Sequence, residues 1–154
     1  IAIDVIEEKL KVAKEFGATD VFLASEEKPW KIVKKITNGR MAQAVFVTVG
    51  SIEAFESAAR YLSPGGKIYI VGMPRSGDKA KYELVILGAL SQSLIGSKMG
   101  ETILKRDIPW LVDLYSQGRL KLDELVSGTW SLEQINEAVA DTKTGSARRN
   151  VIVF

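Results

Sequence analysis

From Ile1 to Gly72, short apolar runs alternate with stretches in which apolar residues recur at helical spacing. Ile1 to Asp4 reads as the end of a buried strand. The following DVIEEKLKVAKEFG sets Ile6, Leu10, Ala13 and Gly17 on one helical face, with Gly17 suited to the C′ position. Val21 to Leu23 is a short strand, and Trp30, Val33 and Ile36 mark a second helix ending near Asn38-Gly39. Ala44 to Val49 is a β-rich run. Gly50-Ser51 then opens a helix, with Ser51 as its N-cap and Ile52, Phe55, Ala59 and Leu62 facing a core. Pro64-Gly65-Gly66 signals a turn before a strand from Lys67 to Gly72. Strands and helices alternating in this way, with continuous apolar strands, predict a parallel sheet with helices on both faces.

The pattern is less regular beyond Gly72. Tyr82 to Leu87 and Gln92 to Gly96 read as further strands. A long helix is expected from about Asp107 to Gln117, with Pro109 in its first turn and Gly118 closing it. Ser131-Leu-Glu-Gln134 is a capping-box pattern that opens another helix, Gly145 stops it, and Val151 to Phe154 ends the chain as a strand. There is no internal repeat, low-complexity tract or linker.

The 154 residues suit one domain, and a hydrophobic fraction of 46% with 26% charged residues is ordinary for a globular chain. No apolar run approaches the roughly 20 residues of a membrane span; Val85 to Leu90 is followed by polar residues. The net charge of +2 comes from Lys and Arg scattered among Glu and Asp, which argues against a nucleic-acid surface. Without Cys or His the chain can form no disulfide and has no histidine base or cysteine nucleophile. The usual zinc ligands reduce to carboxylates, and these residues provide neither a metal site nor a catalytic group. The lack of Cys agrees with a cytoplasmic location.

Asp4 carries the most chemistry. An acidic residue at the end of a doubly wound strand accepts hydrogen bonds from an adenosine ribose and favours NAD over NADP; the competing role is to cap the next helix. Lys9 can reach the same ribose or remain a solvated helix lysine. The segment from Gly72 through Gly77 to Lys79 imitates a phosphate loop but has Asp78 where lysine is required. Val47 to Gly50 and Val71 to Pro74 end parallel strands, where open α/β sheets bind ligands, although small residues there also permit tight chain turns. Arg149, beside the last strand, can pair with a phosphate or with a surface carboxylate. Trp30, Trp110 and Trp130 read as core or rim residues, and the acidic residues form no close pair of glycosidase type.

Five stretches together resemble the nucleotide-binding domain and C-terminal tail of zinc-dependent medium-chain alcohol dehydrogenases. They are IAIDVIEEKLKVAKEFGATDVF, VTVGS, LSPGGKIYIVGMP, GSKMGETILKRDIPWLVDLYSQGRLKLDELVS and SLEQINEAVADTKTGSARRNVIVF. The resemblance spans practically the whole chain, and the penultimate two stretches are similar to the class III, glutathione-dependent formaldehyde dehydrogenase branch. The resemblance implies that Asp4 and Lys9 contact the adenosine ribose of NAD. It puts Val49, Gly50 and the run Val71, Gly72 and Met73 along the adenosine and nicotinamide portions. Ser97, Lys98 and Met99 would approach the carboxamide through backbone groups, and Arg149 the pyrophosphate. The reaction it implies is hydride transfer between an alcohol and NAD, with zinc as a Lewis acid in the complete enzyme.

The family's zinc ligands, proton relay, glycine-rich loop and first Rossmann strand have no counterpart in these residues. The expectation is therefore a Rossmann-type doubly wound parallel sheet, incomplete at its central first strand. Residues 1–154 would form a partial dinucleotide-binding domain plus tail, inactive alone, with weak or absent NAD binding. The family also implies a homodimer through the Gln92–Gly96 edge strand. The rival expectation, from the absence of His and Cys, is a non-catalytic nucleotide-sensing or assembly module.

Overall fold

A computed structural model describes residues 1–25, 28–145 and 147–154. In chain order the elements are β1 (Ala2–Asp4), α1 (Glu7–Glu15), β2 (Val21–Leu23), α2 (Pro29–Ile36), β3 (Ala42–Val47), α3 (Ile52–Ala58) and β4 (Leu62–Ile70). They continue with α4 (Leu84–Ala89), β5 (Ser93–Gly96), α5 (Leu104–Ser116), β6 (Val126–Ser131), α6 (Ile135–Thr144) and β7 (Arg149–Val153). The chain divides into two compact units, Ile1–Leu23 with Ile103–Phe154, and Ala24–Thr102.

Every strand pairing among the described residues is parallel. The ladders are β1–β2, β3–β4–β5 and β6–β7, each separate from the others. Strand–helix alternation with parallel pairing is the Rossmann-type arrangement expected from the sequence. The first two strands pair with Ala2 opposite Val21 and Asp4 opposite Leu23.

The first unit is built by local signals. Leu10 is buried on α1, and Gly17 follows the helix at φ 99, the left-handed conformation that an L side chain resists. Lys121 donates from Nζ to the carbonyl of Glu15 at 2.8 Å, covering an orphan acceptor at the end of α1. Ser131 and Gln134 form the expected capping box. Gly145 ends α6 in the left-handed region at φ 77.

The second unit has its core between the ladder and α3. Val47, Phe55, Ala58, Leu62 and Ile68 are its buried members, and Ile68 is wholly inaccessible. Burying a side chain of that size contributes about 1.5–3 kcal/mol. Ser51 caps α3 as the sequence indicated, its Oγ accepting the Ala54 N–H at 3.3 Å.

Five expectations need correction. Tyr82 to Leu87 is no strand: after Glu83 the apolar run forms α4, and a run that short has no period to separate helix from strand. The Pro64-Gly65-Gly66 segment lies inside β4. Ala42 pairs with Leu62 and Ala44 with Lys67, so the intervening residues bulge out of the ladder with Gly65 at φ 72. The Ala44 to Val49 run starts and stops two residues earlier, as β3. Helix α5 begins at Leu104, which places Pro109 in its interior. Asp107 explains the early start, because its carboxylate accepts the Ile103 N–H at 2.8 Å. Finally β6, unanticipated, supplies the partner of β7, which itself begins at Arg149. Its sequence VSGTWS has only two apolar residues, so the strand exists through pairing and not through pattern.

Candidate cofactor-binding site

The expected site residues fall into two groups, one in each unit. In the second unit they gather at the carboxyl ends of β3, β4 and β5. The N–H groups of Val71 and Gly72 both donate to the Val47 carbonyl, at 3.0 and 2.7 Å, and Ser97 N–H donates to Ile70 O at 3.1 Å. These bonds tie the three strand ends together. The segments beyond them come so close that side chains are excluded. A Cβ on Gly50 would stand 2.6 Å from Met73 O, and one on Gly72 only 2.4 Å from Val49 O. Glycine at both positions therefore reflects contact between backbones.

Around this glycine pair the apolar side chains point outward. Met73 is 89% exposed, Met99 75%, Val49 54% and Val71 44%. Lys98 is exposed and Ser97 partly covered. After Lys98 the chain turns through three left-handed residues, Met99 at φ 52, Gly100 at 64 and Glu101 at 56. The result is a strand-end surface of free backbone and exposed apolar side chains, suited to a flat ring system.

In the first unit, Asp4 ends β1 with its carboxylate half-buried, and Oδ1 accepts the Ile6 N–H at 2.9 Å. The capping role weighed for Asp4 is thus real, while Oδ2 takes no bond from the described residues. Lys9 is exposed on α1. Its Nζ lies 3.9 Å from where a Cβ of Gly145 would stand, beside the carboxyl end of α6. Arg149 is exposed, and no carboxylate pairs with it among the described residues.

Sequence reasoning missed the group that positions Arg149. Ser127 Oγ accepts the N–H groups of Arg148 and Arg149, at 2.9 and 3.2 Å, and approaches the Arg149 carbonyl at 3.3 Å. A small cavity of about 270 Å³ lies against Thr142, Arg148, Arg149 and Asn150. The only sequence signal for Ser127 was its place in a stretch with no pattern of its own.

The close packing of the Gly50 and Gly72 segments is the tight-turn role of small residues, and the strand ends they join are where open α/β sheets bind dinucleotides. Zinc is different. The chain has no His or Cys, and among the described residues no three carboxylates group to hold a metal ion.

Fold and strand-end geometry thus define a parallel α/β domain of the dinucleotide-binding type. Comparison with known proteins narrows this: residues 1–117 match the zinc-binding dehydrogenase model, and the chain belongs to that family of zinc-type medium-chain alcohol dehydrogenases. It is 32% identical over 157 aligned residues to the NDMA-dependent alcohol dehydrogenase of Amycolatopsis methanolica, a match covering 99% of this chain and 42% of that protein. It is 30% identical to the probable S-(hydroxymethyl)glutathione dehydrogenase 1 of Schizosaccharomyces pombe, over 99% of this chain and 40% of that one. The crystal structure of benzyl alcohol dehydrogenase from Acinetobacter calcoaceticus superposes with a TM-score of 0.91 at 31% identity, covering 97% of this chain and 41% of that chain. The chain therefore spans about two fifths of the length of the relatives it matches.

Proposed function

We propose that this chain is the NAD-binding portion of an alcohol dehydrogenase, supporting hydride transfer between an alcohol and NAD in the complete enzyme. The observation that carries the proposal is the gathering of Val49, Gly50, Val71, Gly72 and Met73 at the carboxyl ends of neighbouring parallel strands, where open α/β sheets bind their ligands. Val49, Val71 and Met73 are exposed there. On this reading these residues carry the rings of the cofactor, and the backbone of Ser97, Lys98 and Met99 meets its carboxamide. The free Oδ2 of Asp4 and the Lys9 ammonium hold the adenosine ribose, and Arg149, fixed by Ser127, offsets phosphate charge. Nicotinamide supplies the hydride acceptor. The zinc ligands are provided by residues outside these 154, and the chain alone binds NAD only weakly.

The substrate is a small alcohol or aldehyde. Relatives are named for benzyl alcohol, geraniol and S-(hydroxymethyl)glutathione, so the pocket that selects among them is not set by the residues shared here. Among the described residues no helix is long and apolar enough to cross a membrane. We further assign β5, whose only strand partner among the described residues is β4, to pairing across a two-fold axis in a homodimer.

The test is a fusion of this chain to the part of the Acinetobacter benzyl alcohol dehydrogenase that it does not cover. The chain alone should reduce no NAD with any alcohol, and the zinc-loaded fusion should do so. A soluble, zinc-loaded fusion without turnover would overturn the dehydrogenase reading and favour a nucleotide-sensing or assembly module.

A further inference from the structure

The second unit also holds a cavity of about 540 Å³, at the opposite end of its ladder from the glycine pair. Met41, Leu62 and Gln92, which precede or begin β3, β4 and β5, all contribute to its wall. The remainder comes from α2, from the turn after α3, and from α4 with the residues before it. Two bonds fix that last segment: Lys81 N–H donates to Glu56 Oε1 at 3.0 Å, and Tyr82 Oη donates to Phe55 O at 3.1 Å.

The wall has three chemical features. Its body is apolar, from Leu62, Leu87 and the Trp30 ring. Its charged groups are Lys34, Arg60 and Lys81 against Glu56 and Glu83, an excess of one positive charge, and none of the three cations has an ion pair among the described residues. Two of the lining residues each carry a buried polar atom that has no partner among the described residues, the donor Trp30 Nε1 and the acceptor Gln92 Oε1. The Gln92 amide is oriented by its Nε2, which donates to Leu62 O and Ser63 O, both at 3.4 Å, and this leaves Oε1 over.

An apolar cavity with one surplus positive charge and a spare N–H donor matches an amphipathic monoanion. We propose that this cavity binds a small aryl- or alkyl-carboxylate, with the carboxylate on Arg60 and the apolar body between Trp30 and α4. Trp30 Nε1 and Gln92 Oε1 are covered in the free chain, so binding includes a small rotation that lets the indole N–H donate to a carboxylate oxygen. The site lies at the strand ends away from those assigned to NAD, and it stands whether or not that assignment does.

The experiment uses 15N-labelled chain and the indole N–H resonance of Trp30, assigned through Trp30→Phe. It is titrated with 3-phenylpropanoate and, in parallel, with the neutral 3-phenylpropanol. The expected result is a saturable shift with the acid and roughly fivefold weaker binding of the alcohol, the size of one partly exposed ion pair. Arg60→Gln should weaken the acid by a similar factor and leave the alcohol unchanged. No saturable shift up to about 10 mM acid, equal affinity for the two probes, or an unchanged acid affinity in a folded Arg60→Gln chain would each overturn the proposal.

Discussion

The indole nitrogen of Trp130 and the side-chain oxygen of Asn150 close over the same face of Gly128: a Cβ there would stand 2.8 Å from the first and 2.9 Å from the second. Asn150 cannot easily yield, because its Nδ2 donates to Ala138 O at 3.0 Å and to Asp141 Oδ2 at 2.8 Å, joining β7 to α6. Gly128→Ala should therefore destabilise the chain by about 1–3 kcal/mol in urea unfolding. Gly88→Ala in α4 is the contrast. Nothing lies within 4 Å of a Cβ there, so a gain of about 0.5–1 kcal/mol is expected. Equal effects of the two substitutions would show that the Trp130–Asn150 contact does not govern packing in this region.

The two roles of Asp4 separate by substitution. Asp4→Asn keeps an oxygen for the Ile6 N–H and should leave the unfolding midpoint nearly unchanged. Asp4→Ala removes the acceptor and should cost about 0.5–2 kcal/mol, by analogy with loss of a helix cap. Equal midpoints for the two variants would show that the turn after β1 does not depend on this side chain.

Much of the fold was legible because its signals are local. Gly17, Ser51, Gly118, Ser131 and Gly145 each mark a helix end by its own chemistry, and all five behave as read. What failed depends on partners distant in sequence. Strand β6 is held by β7, and the bulge in β4 arises because the strand pairs with β3 both before and after Pro64-Gly65-Gly66. Helix α4 was misread because its apolar residues are all alike. The site was legible in kind: Gly50 and Gly72 were named as small residues at strand ends. That each excludes a side chain from the other's segment is a distance, and no sequence pattern carries it.

Three carboxylates, exposed at Glu53 and Glu133 and partly covered at Asp107, predict the acid limb of stability. Glu53 is held below the usual carboxylate range by the Ser51 hydroxyl, Asp107 by its bonds from Arg106 and then the Ile103 N–H, and Glu133 by the Ser131 hydroxyl. Each folded-state pKa lies below its unfolded value, so each contribution is complete above the unfolded value and is lost as pH falls through the folded one. Asp107→Asn should thus be less stable than the parent chain at pH 7, with the difference shrinking as pH falls below the ordinary aspartate range. A difference that persists undiminished at low pH would assign the effect to something other than the charge.

The proposed pairing through β5 makes a prediction about assembly. Leu94, in the middle of this four-residue strand, is 38% exposed. Sedimentation should show a dimer for the parent chain and a monomer for Leu94→Lys, since a charge on an edge strand opposes edge-to-edge pairing. A parent chain that stays monomeric at high concentration would remove the assignment of this edge.

The most direct test of the central claim is a comparison of NAD and NADP binding to the purified chain by saturation-transfer NMR. The account predicts weak binding of NAD, on the order of millimolar, with NADP weaker and with the preference lost in Asp4→Asn. Stronger binding of NADP, no contact with NAD at about 10 mM, or a preference untouched by Asp4→Asn would contradict it.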